Sequence, residues 1–174
     1  MRTKQRSVAA LLASAATTLV IVGLGTTNAQ ATPAPSAAVD TAQLRALSTT
    51  QSRAEIDALV SGTDPVSLYV DAATGEVLAA APAPDSTVTG VHTRALTPIG
   101  PGCTSTSVCM RSISGTPYGL TGTGTRTGTW KKIISYSSGD RETSFWASNG
   151  MAYTYRAYSN VTLNVTVTIT KVQR

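Results

Sequence analysis

Residues 161–169 alternate without interruption: Val161, Leu163, Val165, Val167 and Ile169 have one parity, Thr162, Asn164, Thr166 and Thr168 the other. A period of two makes a half-buried strand and cannot make the apolar stripe of a helix. The β-branched side chains also suit a pleated surface better than a helical one. So large an apolar face must be covered by another layer, which commits the carboxy-terminal part of the chain to a sheet-based core. On this register all five apolar side chains enter the core, and Thr166 faces outward.

The preceding residues supply strand partners. Met151, Tyr153 and Tyr155 alternate with Ala152, Thr154 and Arg156, and Ser159-Asn160 predicts a turn into the last strand. Asn149-Gly150, the strongest kind of short hairpin signal, leads back to a strand carrying Phe145 and Trp146. Residues 130–136 and 108–113 read as two more strands, and a short one fits between Pro117 and Gly128. Five or six antiparallel strands in 102–174 predict an all-β domain, a compact antiparallel Greek-key sandwich with one main core.

Upstream the pattern changes. In the segment 32–80 a helical stretch holds Leu44 and Leu47, and Ser52 with Glu55 fits a capping box. Ile56, Leu59 and Val60 give one apolar stripe, which Gly62 ends. Val66, Leu68 and Val70 then alternate with their neighbours, turn through 72–75 and continue into Val77, Leu78 and Ala79 as a hairpin. This small α+β helix–hairpin segment cannot bury much apolar surface alone. Residues 81–101, with four prolines, read as a linker.

Charge divides the chain the same way. Residues 1–31 carry three bases and no acid, 32–98 seven acids against three arginines, and 99–174 eight bases against Asp140 and Glu142. Arg2, Lys4 and Arg6, an apolar run over 8–24 and an A-x-A site at 29–31 describe a bacterial-type secretory signal peptide cut after Ala31. The rival is an uncleaved anchor; Ser14, Thr17 and Thr18 weaken that run, and no later run could span a membrane. A basic leader, acidic middle and basic end is the layout of an acidic pro-region covering a cationic mature domain. An accessory subdomain that is never removed fits the same residues. On either reading a cut between about 93 and 101 divides the chain. Export excludes ATP- and nicotinamide-dependent chemistry, and no cofactor is expected.

Cys103 and Cys109 lie close in sequence, and in an oxidising compartment such a pair is most simply a disulfide. The bridge closes so short a loop that it adds only ~2 kcal/mol by chain entropy. A metal centre would need more thiols or imidazoles, and the single histidine, His92, falls in the linker, so no metal is expected.

The run C-T-S-T-S-V-C-M from Cys103 to Met110 resembles the opening of secreted bacterial βγ-crystallin-like proteins, where a paired-cysteine stretch leads into the first strand. Tyr118-Gly119 is similar to their aromatic–glycine hairpin, and Asp140 to Ser144, before Phe145 and Trp146, resembles their acidic turn before a strand. The resemblance covers about residues 102–150. It implies a Greek-key β-domain, and the group includes small proteinase inhibitors. Gly139 departs from the turn pattern, and Arg141 sets a cation beside the place where the family holds calcium.

Candidate chemistry is sparse. Asp140 and Glu142 could face one side of a strand, but Gly139 and Arg141 mark a solvated turn. A serine nucleophile lacks a base within the domain. The chain is therefore expected not to be an enzyme. The binding candidates are Arg126, Trp130, Lys131, Lys132, Arg141, Tyr155 and Arg156, because cations interleaved with aromatics grip anionic polymers. The competing reading puts the tryptophans in the core and leaves the charges for solubility. Two partners are expected: an extracellular proteinase, met by an exposed loop in 115–128, or an anionic envelope polymer, met through charge as an antimicrobial or wall-associated factor. Nucleic acid is not expected as a partner.

Overall fold

The computed structural model describes residues 40–84, 95–100 and 102–174. The expected signal peptide (1–31), the cut after Ala31, His92 and the middle of the expected linker lie outside the described residues.

The chain is mostly β. Among the described residues two short helices, α1 (Thr41–Leu47) and α2 (Arg53–Ser61), precede nine strands: β1 (Val66–Val70), β2 (Val77–Pro82), β3 (Thr97–Pro98), β4 (Val108–Ser112), β5 (Pro117–Thr121), β6 (Thr125–Ser137), β7 (Thr143–Ala147), β8 (Ala152–Tyr155) and β9 (Ser159–Gln173). They form one mixed sheet in the order β2-β1-β9-β6-β4-β5-β3, with β7 also pairing β9 and β8 pairing β7. The strands expected at 108–113, 117–128, 130–136, 145–146 and 151–155 all form, and Asn149-Gly150 lies between β7 and β8 as the hairpin signal requires. The turn expected at Ser159-Asn160 falls just earlier: Tyr158 takes a φ of 59°, and Ser159 already belongs to β9.

The spine is β9. One edge pairs antiparallel with β6 along both its halves. The other edge is shared: Ser159 to Leu163 pair in parallel with β1, and Ile169 to Gln173 pair antiparallel with β7. Between these two neighbours the β6–β9 register jumps from Ser135↔Thr162 to Ile133↔Val167, so residues 164–166 bulge out of the ladder. This corrects the unbroken alternation expected for the strand. Val161, Leu163, Val167 and Ile169 are buried, but Val165 is 56% exposed. The bulge also aims Asn164 at the β1–β2 turn. Its side-chain oxygen accepts from Ala72 N (2.9 Å), and its amide donates to Asp71 Oδ2 (3.0 Å).

The acidic segment has the expected local structure and an unexpected place. The capping box of α2 is complete, with Ser52 N donating to Glu55 Oε2 (2.8 Å) and Glu55 N donating to Ser52 Oγ (3.4 Å). All five residues of β1 are buried. Val66, Leu68 and Val70 enter the same core as Met110, Ile133, Phe145, Leu163 and Ile169. On the second face Tyr69, Ala79 and Ala81 pack under Leu44 of α1. Burial on both faces is the ordinary condition of a strand with a parallel neighbour. At the outer edge, Gln51 pairs both backbone groups of Ala80, donating to its O and accepting from its N (2.9 Å each). A side chain thus closes an edge that would otherwise be open to another chain.

The expected division into an acidic unit and a separate β-domain is therefore not a division of the sheet, and no boundary between compact units falls there. Arg53 pairs with Asp57 and Glu76 inside the acidic segment, and Asp140 with Arg141 and Arg174 inside the basic one. What joins the two is the β1–β9 ladder, the common core, the Asn164 contacts and Arg156, whose guanidinium donates to the carbonyls of Leu59 (3.2 Å), Val60 (3.3 Å) and Asp64 (2.6 Å). The first two of these carbonyls belong to the last turn of α2, which has no intrahelical donors for them.

Candidate functional site

The binding candidates do not gather in one place. Arg156 is held by the carbonyls of the α2 end, and Tyr155 belongs to an internal aromatic group, its ring centroid 5.7 Å from that of Tyr136, which in turn lies 4.2 Å from Phe145. Burial pushes the Tyr155 hydroxyl up to about 12 and that of Tyr136 well above its ordinary value. Arg141 is half-buried beside Asp140 (3.4 Å). The Asp140 carboxylate also takes a hydrogen bond from Arg174, whose side chain is 1% exposed and which donates a second bond to Thr106 O (3.1 Å). Burial lowers the Arg174 guanidinium, and Asp140 opposes that shift. The turn that resembles the family's acidic turn thus holds its carboxylate between two guanidinium groups. Among the described residues no group of three or more His, Cys, Asp or Glu is placed to hold a metal ion.

Cys103 and Cys109 form a disulfide, with Cα atoms 5.6 Å apart. The bridge pins the 104–107 turn, in which Ser107 Oγ donates to Thr104 O (3.0 Å), onto β4.

Arg126 and Trp130 do come together. β4 pairs with β6 only from Ile133 onward, so the first part of β6 overshoots it. There an open cleft of about 270 Å³ lies between β6 and the β5–β3 edge, lined by Arg126, Gly128, Trp130, Tyr118, Leu120 and Pro98 among others. Two glycines make it possible. A Cβ on Gly119 would lie 2.4 Å from Gly102 O and 2.6 Å from Ile99 Cγ1, so only glycine there leaves room for Ile99, which lines the cleft. A Cβ on Gly128 would lie 2.8 Å from both Cη2 and Cζ2 of Trp130 and 3.1 Å from Cζ3. Three ring carbons nearly equidistant from one point put that point over the ring face, not at its edge. The indole therefore rests face-down on the strand at Gly128, and it packs at its margin against the main core.

The Arg126 guanidinium has one long hydrogen bond, to Leu96 O (3.5 Å), and no ion pair among the described residues. Lys131 and Lys132 are exposed on the same strand. Lys132 takes a φ of 55° and lines a second cleft with Val165 and Asn149. The other tryptophan, Trp146, is covered by Lys171, whose ammonium lies 3.5 Å from the ring centroid. Tyr118 and Gly128 also line the cleft, though no charge or aromatic pattern in the sequence singles them out as site residues. The aromatic–glycine pair at 118–119 was visible, but its position beside Trp130 depends on the β4–β5–β6 pairing.

No protein-family model matches the chain, and comparison with curated proteins and with solved structures finds no significant match. No helix among the described residues is long and apolar enough to cross a membrane.

Proposed function

We propose that the protein is exported through residues 1–31 and acts without catalysis, by binding an anionic polymer of the cell envelope through the first half of β6. The observation that carries this is the Arg126–Trp130 cleft, a guanidinium with no carboxylate partner among the described residues beside an aromatic platform. The disulfide fits an oxidising compartment. On this reading the basic part is a Greek-key β-domain of βγ-crystallin-like type. Its all-antiparallel pairing in 108–173 supports that assignment, and the acidic segment adds a parallel strand to its sheet. The test is co-sedimentation of the full chain with purified bacterial cell walls at rising salt. Binding is expected to weaken as salt screens the contacts, and the combined variant Arg126→Gln, Lys131→Gln, Lys132→Gln is expected to lose most of it. Salt-independent binding, or binding unchanged in that variant, would overturn the proposal.

A second reading, inhibition of an extracellular proteinase, is favoured by one observation. Ile113 is 64% exposed at the β4–β5 hairpin tip. That tip is braced by Thr116 N to Ser112 Oγ (3.0 Å), Gly115 N to Ser112 O (2.9 Å) and Ile113 N to Lys132 O (2.9 Å). A rigid loop with an exposed apolar residue is what a protease cleft accepts. The longer loop expected over 115–128 is instead β5 and its turn into β6. Inhibition of secreted serine proteinases at high salt, abolished by Ile113→Asp, would support this reading. No inhibition at micromolar concentration would remove it.

A further inference from the structure

We infer that the cleft beside β6 is a glycan subsite, which takes a pyranose ring stacked on Trp130 with the ring's anionic substituent on Arg126. The inference rests on the polymer-binding reading above and names the chemistry of the polymer. A sugar ring has a flat apolar face of C–H groups and a rim of hydroxyls, so it needs a rigid aromatic plate with polar groups around it. The indole is such a plate, because Gly128 supports one of its faces and leaves the ring's remaining surface to the core margin and the cleft. Thr127 and Thr129 give exposed hydroxyls on the same strand, and Tyr118 lines the opposite wall. This part of β6 also lies beyond the reach of β4, whose pairing starts at Ile133, so among the described residues its backbone has no partner strand on that edge. At about 270 Å³ the cleft lies below the roughly 300–1,000 Å³ of sites for drug-sized ligands, which suits one ring of a chain rather than a deep-bound molecule.

The charge selects which glycan. A planar guanidinium pairs two-pronged with a carboxylate or a phosphate. Arg126 is half-buried at the cleft with no acid beside it among the described residues, so an anionic group on the sugar meets no competing ion pair. Carboxylate and phosphate share this recognition, and the test separates them.

The full chain carrying Trp146→Phe, which leaves Trp130 as the sole indole, is titrated with trigalacturonic acid, the neutral trisaccharide cellotriose and inorganic tripolyphosphate. The expected result is a saturable change in Trp130 fluorescence with trigalacturonic acid. Cellotriose should give the same change at concentrations about tenfold higher, and tripolyphosphate should bind with little spectral change. Arg126→Gln, a substitution at the rim of the cleft, should erase the preference for the acidic trisaccharide. Trp130→Leu, which keeps an apolar side chain against the core and is read by titration calorimetry because it removes the reporting indole, should weaken both sugars by about tenfold or more, a loss of about 1.4 kcal/mol. Trigalacturonic acid that fails to bind, or that binds Trp130→Leu as tightly as the native side chain, overturns the inference. A tighter tripolyphosphate complex that perturbs Trp130 equally would overturn the stacked-sugar assignment as well. If cell-wall binding survives any of these results, the polymer-binding reading stands without the glycan subsite. If cell-wall binding is absent from the start, that reading has failed by itself.

Discussion

At the scale of single residues, Leu163 and Val165 separate what parity suggests from what packing decides. Leu163 is fully buried between β1 and β6, whereas Val165 sits on the bulge where β9 passes from β1 to β7. Leu163→Ala is expected to cost about 2–5 kcal/mol in urea unfolding. Val165→Asp should fall within about 0.5 kcal/mol of the parent, as surface changes do. A second residue-scale prediction concerns Asp140, whose carboxylate neutralises a guanidinium buried to 1% exposure. Asp140→Ala leaves Arg174 buried without that counter-charge and should cost about 3–5 kcal/mol, read as a fall in the urea midpoint. Two carboxylates also contribute to the acid response. Asp71 is held below its ordinary value by the amides of Thr74 and Ala73, and Glu55 by the Ser52 hydroxyl and amide. A depressed folded value contributes stability above the unfolded value and loses it as pH falls through the folded one. Thermal midpoints should therefore drop below the ordinary carboxylate range, and Asp71→Asn should flatten that drop. Tyr155 has the opposite sign. Its raised value means that stability is full below about 10 and is lost as pH rises toward about 12, so its phenolate should form at higher pH than that of an exposed tyrosine.

At the scale of elements, most of the local structure is legible in the sequence because it is decided locally. The capping box of α2, the Asn149-Gly150 hairpin and the alternation of 161–163 and 167–169 each depend on side chains a few residues apart. The misread positions depend on partners far along the chain. β1 looked like half of a marginal hairpin, yet it is buried on both faces because β9 and α1 supply what the hairpin lacks. Arg156 looked like surface charge and instead terminates α2, about a hundred residues earlier in the chain. Of the candidate site, the cation and the indole were visible as residue types. Their meeting with Tyr118 and Pro98 was not, since it follows from β6 outrunning β4. Arg156→Ala should leave the carbonyls of Leu59, Val60 and Asp64 short of a donor. It should raise amide exchange in α2 selectively, at a cost of about 1–3 kcal/mol.

At the scale of the whole molecule, the acidic and basic parts of the chain share one core. Val66, Leu68 and Val70 are each at most 2% exposed, and each contributes about 1.5–3 kcal/mol of burial. Their loss would also strip the parallel partner from Ser159 to Leu163 of β9. A pro-region that merely neutralised charge could leave without damage; loss of this segment is expected to uncover the shared core. A protease site engineered into 85–94 and cut should therefore leave two pieces that elute together under native conditions and separate only in denaturant. The most direct measurement of the shared core is amide hydrogen exchange on the intact chain, comparing 66–70 of β1 with 159–163 of β9. Equal, slow exchange of both, lost together under mild denaturant, is the predicted result. Fast exchange across 66–82 while 159–173 stays protected would show that the basic part holds its sheet without the acidic hairpin, and would contradict the account.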